Sequence, residues 1–208
     1  MKPVTARAIS IAAVKWGMAA KGSNREDLGA LAWKLDGRLR EAPHDAGAFT
    51  KALDAKVDAI ATARSQPARL LAMLSEAAPL LRIAGRLEEA RKTASAAIAL
   101  AELVEDARAV FANQRALAQV LQWEGRFEIS TPLFDQLISQ ARSIPIYADF
   151  LDGVLFDAGR NHFEQRRYPE AARCFRESQG LQRAQGTEHL LEASAEALRR
   201  TKEAQASL

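Results

Sequence analysis

The chain has 208 residues, 48% hydrophobic and 26% charged, with a formal net charge of +3 and an isoelectric point near 9.2. That balance suits a folded protein and excludes the dense basic footprint of a nucleic-acid binder. A single cysteine, Cys174, excludes an internal disulfide framework, and no window approaches the eighteen or so apolar residues of a membrane span, so the expected setting is the reducing cytoplasm.

Taken from the start, Lys2 and Arg7 flank an apolar run from Ala8 to Val14, but Lys15 cuts it short and no small-residue cleavage site follows. Ile9, Ala12, Trp16 and Ala19 share one side of a helix expected over residues 3–20, which covers the end of the array. Gly22 breaks it. Ser23 or Asn24 then caps a helix with Leu28, Leu31, Leu35 and Leu39 as its apolar stripe, ended by Pro43. Phe49, Leu53, Val57 and Ile60 make the stripe of its partner, which runs to about Arg64.

Pro67 opens the next hairpin, which turns at Gly85 and returns from Leu87 to about Val104. A third runs from about Asp106 to Glu124 and back from Phe127 to Arg142. Pro145 opens a fourth, turning at Arg166-Arg167 and ending near Gln185-Gly186. Thr187 caps a last helix, with Leu190, Leu191, Ala197 and Leu198 inside and a polar C-terminal half suited to the end of a stack. Interior prolines remove a backbone hydrogen bond and clash with the preceding turn. A kink is therefore expected at Pro79, and at Pro132 a late helix start with Ser130 or Thr131 as cap. The chain thus reads as one all-α domain over 1–208: an N-terminal helix (1–22), a degenerate repeat (24–64), repeats at 67–104, 106–142 and 145–185, and a capping helix (187–206). Strand content should be negligible.

The hairpins are copies of one another. Gly85-Arg86-Leu87-Glu88-Glu89-Ala90 recurs as Gly125-Arg126-Phe127-Glu128-Ile129-Ser130 and as Arg166-Arg167-Tyr168-Pro169-Glu170-Ala171. From 85 to 125 and from 125 to 166 the steps are 40 and 41 residues, a period that signals stacked supersecondary units. A fainter copy begins at Gly47.

With a small residue at the turn, an apolar one two places later and a small one three beyond, the repeats resemble the tetratricopeptide (TPR) family. Ala78, Ala118 and Gly159 match its small residue seven places before the turn. Leu81 and Leu121 match its bulky residue four places before, where His162 departs. Ala94, Phe134 and Phe175 stand four places after the small residue of the second helix. The likeness covers roughly residues 24–206. A period near 40 rather than about 34 is similar to the longer-helix variant of kinesin light chains. The resemblance implies a right-handed α-solenoid of antiparallel hairpins, which binds a peptide or partner protein along a groove lined by first helices.

No catalytic constellation is present. His44, His162 and His189 fall in different hairpins without ligand spacing, Cys174 has no histidine partner, and no glycine-rich phosphate loop occurs, so neither metal nor cofactor is implied. The turn residues Arg86, Arg126, Arg166 and Arg167 read as solvated. A non-catalytic binding module fits best (adaptor, secretion chaperone or immunity-type inhibitor). The alternative is a nucleic-acid or small-ligand sensor on the same scaffold. Positions ten, six and three before each turn lie on one helix face. They give three rows: Ser75, Arg115 and Phe156; Pro79, Gln119 and Arg160; Arg82, Gln122 and Phe163, with Trp123 beside the last. Arginine forks carboxylates and aromatics anchor interfaces. The partner-binding set is therefore Arg82, Arg115, Gln119, Gln122, Trp123, Phe156 and Arg160, facing an acidic peptide or protein surface. Arg115 and Arg160 are the expected anchors, and removing both should leave the thermal midpoint nearly unchanged.

Overall fold

Three turns close by the same pair of hydrogen bonds. Gly85 N–H donates to Arg82 O and Arg86 N–H to Leu81 O; Gly125 and Arg126 donate to Gln122 O and Leu121 O; Arg166 and Arg167 donate to Phe163 O and His162 O. Each is a Schellman closure, with a left-handed residue just past the helix end: Gly85 at φ 77°, Gly125 at 75° and Arg166 at 60°. Glu105, at φ 57°, closes the link between two hairpins in the same way.

The computed structural model describes residues 30–186 and 188–207. The expected helix at 3–20, the Ser23 or Asn24 cap and the Thr187 cap lie outside the described residues. Eight α-helices follow a short β-hairpin: α1 (Ala46–Ile60), α2 (Pro67–Ile83), α3 (Leu87–Leu103), α4 (Ala107–Trp123), α5 (Phe127–Ser143), α6 (Leu151–Glu164), α7 (Tyr168–Ala184) and α8 (Glu188–Ala206). Short 3₁₀ turns at Ala61–Ala63 and Pro145–Phe150 precede α2 and α6. Consecutive helices pack in adjacent pairs. The first helices α2, α4, α6 and then α8 also touch in series, so they form one continuous face.

Phe49 and Leu53 of α1 are fully buried, with Val57 and Ile60 packed beside them, as the stripe requires. Asp45 caps α1 by accepting from Ala48 N–H at 2.9 Å. Phe134 and Phe175 sit in the core where second helices meet the next hairpin. In α8, Ala197 is buried but Leu190, Leu191 and Leu198 are only partly so; Ser194 and Thr201 take the inward positions instead.

The expected late helix start at Pro132 is corrected. α5 begins at Phe127 and runs through Pro132, so no late start occurs. Ser130 and Thr131 do not cap it: Ser130 Oγ donates to Asn161 Oδ1 at 2.7 Å, and Thr131 Oγ1 accepts from Asn161 and Gln165, tying α5 to α6. Proline here forfeits a single backbone bond in the second turn, a loss these cross-links offset. α2 is likewise unbroken through Pro79.

The larger correction concerns residues 31–43, which are not the first helix of a repeat. They form an antiparallel β-hairpin of β1 (Trp33–Leu35) and β2 (Glu41–Pro43), with Lys34 opposite Ala42. Its turn is built by Asp36, whose carboxylate accepts from Arg38 N–H at 2.8 Å and Arg40 N–H at 2.9 Å. Asp36-Gly37 is strong turn chemistry, and it overrides a leucine spacing that fits alternation as well as a helix; Leu31 and Trp33 pack on one apolar cluster and Leu35 on another.

Candidate functional site: the arginine face of the first helices

The three rows come together on the face of α2, α4 and α6, and they are covered. Arg160 is 1% exposed, Arg82 2%, Arg115 6%, Gln122 0%, Gln119 7% and Phe156 7%; Trp123 and Phe163 are half-buried. The β-hairpin lies across them. Glu41 Oε2, on β2, accepts from Arg82 Nη1 at 2.7 Å, and Glu41 Oε1 accepts from Arg82 Nη2 at 3.2 Å and pairs with Arg160 Nη1 at 2.8 Å. One carboxylate is thus forked by guanidiniums from two different repeats, an arrangement in which charge and geometry both favour the anion.

Burial alone would raise the Glu41 carboxyl, but the charges of Arg160 and Arg82 and their hydrogen bonds hold it well below the usual carboxylate range. Arg115 serves differently. Its Nε donates to Asp157 Oδ2 at 2.6 Å, and Gln119 Nε2 donates to the same oxygen at 2.6 Å. Burial lowers the Arg115 pKa while Asp157 opposes the shift; Arg160, equally buried, is held higher by Glu41 and Asp157. Gln122 donates to Glu164 Oε1 at 2.9 Å, and Glu164 also pairs with Arg40 of the hairpin. The guanidiniums of Arg40 and Arg82 stand over the Trp123 ring at 5.0 and 4.7 Å, and that of Arg160 over Phe156 at 5.6 Å. Ser75 of the first row accepts from Asn113 at 2.9 Å, and Pro79 of the second is partly exposed.

The expectation that Arg115 and Arg160 could be removed without cost therefore fails. Each is buried against Asp157 or Glu41, and breaking a buried pair strands the partner charge at a cost of about 3–5 kcal/mol.

Sequence spacing found the cations and missed the anions. Asp157 and Glu164 lie one position off the rows, three before and four after Arg160, where an i,i+3 and i,i+4 search around each arginine would have found them. Glu41 was out of reach, because its segment had been given to a helix. His162 is buried and its imidazole pushed down by burial, while Cys174 is buried with its thiol pushed up by burial. Among the described residues no cluster could hold a metal ion, and no helix is long and apolar enough to cross a membrane.

Two crystal structures of nearly identical TPR-like repeats from Podosopora anserina, from a protein described as a kinesin light chain, superpose on this chain. One, carrying a substitution, matches at 17% identity over 77% of this chain and 80% of its own, with a TM-score of 0.56. The other matches at 16% identity over 77% and 89%, with a TM-score of 0.51. The fold is a TPR-like helical repeat. No protein-family model and no curated protein matches the sequence. TPR-like folds generally mediate protein–protein interactions and are typically non-catalytic scaffolds.

Proposed function

We propose that the protein is a non-catalytic binding module whose concave groove takes an acidic peptide or protein surface, in an adaptor, secretion-chaperone or immunity-type role. The observation carrying this reading is the convergence of Arg82 and Arg160 on a single carboxylate. A two-pronged contact from Arg82 and a second guanidinium from Arg160, two repeats on, select a carboxylate of fixed position, which a lysine or a lone arginine would not. Arg115 and Gln119 are buttresses that hold Asp157 beside Arg160 at 3.8 Å, and Trp123 backs the Arg82 guanidinium. The nucleic-acid alternative loses its footing on this face, where Glu41, Asp157 and Glu164 neutralise the arginines.

The test is capture of the partner from the native cell, followed by mapping of its bound segment. The double variant Arg82→Lys with Arg160→Lys retains both charges but loses both forks. It should keep its helical circular dichroism and lose the partner at least tenfold. Undiminished capture by the folded variant would remove the groove as the binding site.

A further inference from the structure

Two of the side chains by which the hairpin reaches the groove define a motif. Leu39, fully buried, joins one apolar cluster with Phe156, Ala171, Phe175 and Ala197 of α6, α7 and α8. Two residues on, Glu41 fills the fork of Arg82 and Arg160. Arg40, between them, pairs with Glu164.

Several features make this occupant a poor fixture. Its strands have three residues each, and an isolated two-stranded hairpin is marginal in water. Leu39 sits at φ 61°, a left-handed conformation costly for a branched side chain. The fork is also incompletely used: Arg82 Nε, Arg160 Nε, Gln122 Oε1 and Trp123 Nε1 are buried with no hydrogen-bond partner among the described residues. Such groups are costly to leave unmade, and a different occupant could satisfy them.

We propose that residues 31–44 are a displaceable resident of the groove, and that the partner segment replacing them presents a bulky apolar residue two positions ahead of a carboxylate. This rests on the groove reading and adds its regulation and its specificity. The apolar pocket discriminates against merely acidic chains, and the fork discriminates against merely apolar ones. A tethered occupant acts at an effective concentration of about millimolar, so it suppresses weak acidic competitors and yields to those that make fuller use of the site.

The probe is a fluorescent peptide with the sequence of residues 31–44, titrated with the full chain and with the variant Leu39→Ala/Glu41→Gln, whose own hairpin is weakened. The variant should bind the peptide at least tenfold more tightly than the unsubstituted chain. A peptide carrying the same two substitutions should bind neither. Equal affinity for both proteins, or no binding to a variant of native helicity, would overturn the proposal. Should the variant not fold, hydrogen exchange on the unsubstituted chain decides. Excess peptide should speed exchange at the amides of Asp36, Leu39 and His44, which are bonded within the hairpin, and unchanged rates would overturn displacement. Such a failure, with the partner still dependent on Arg82 and Arg160, removes the hairpin's role and spares the groove reading.

Discussion

Glu41 is charged in a largely buried place, and its ionisation is tied to the fold. A carboxyl depressed in the native state contributes stability above its unfolded value and loses that contribution as pH falls toward the native one. Stability should therefore decline as pH drops below the ordinary carboxylate value of 4.5, as Arg160 and Arg82 lose their counter-charge. Urea unfolding in steps from pH 6 to pH 3, roughly the window this linkage spans, should show a flatter acid limb for Glu41→Gln than for the unsubstituted chain. Identical slopes would detach Glu41 from the arginines. Two glycines give a sharper contrast. A Cβ on Gly159 would lie 2.6 Å from the Phe175 ring, which is fully buried and has nowhere to move, whereas one on Gly180, exposed in α7, would meet nothing within 4 Å. Gly159→Ala should cost about 1–3 kcal/mol by overpacking, and Gly180→Ala should stabilise by about 0.5–1 kcal/mol through helix propensity. Chemical denaturation measures both, and a neutral Gly159→Ala would mean that α6 and α7 are not so closely apposed.

Among the elements, the helices after Pro67 were legible because an apolar stripe and a left-handed turn residue agree in each hairpin, and in the last two a small residue packs with an aromatic. Gly159 against Phe175 is that last signal in physical form, one side chain absent so that another can enter. The hairpin at 31–43 was not legible. Its leucines fit two periods at once, and only the Asp36 turn and the groove behind it settle the choice. Pro132 misled for a related reason, since the rule against interior proline concerns one lost bond, while α5 is held by Ser130 and Thr131 to α6. Phe134 and Phe175, on second helices, are buried at 1% and 0% exposure. Truncating either to alanine should cost about 3–5 kcal/mol, read from the denaturation midpoint. A loss below about 1 kcal/mol at both would contradict the packing of second helices onto the following hairpins.

At the scale of the whole molecule, the hairpin is a clasp. It touches α2 through Glu41, α4 through the Arg40 stack on Trp123, α6 through Arg160 and Glu164, and α8 through Arg200, which donates to Asp36 O. Four successive first-helix positions are thus joined by one segment of fourteen residues, 31–44, which no repeat arithmetic could place. The site was half legible for the same reason: repeat spacing puts equivalent arginines in rows, but their acidic partners obey no repeat. The central claim is that Glu41 sits in the groove, charge to charge with Arg160. A double-mutant cycle with Glu41→Gln, Arg160→Gln and the pair, followed by denaturant unfolding, measures that contact directly. The two substitutions should couple by about 1.5–3 kcal/mol, because Glu41→Gln alone leaves Arg160 without its carboxylate and the pair removes both members of that contact. Additivity within about 0.5 kcal/mol would contradict the account and place the hairpin outside the groove.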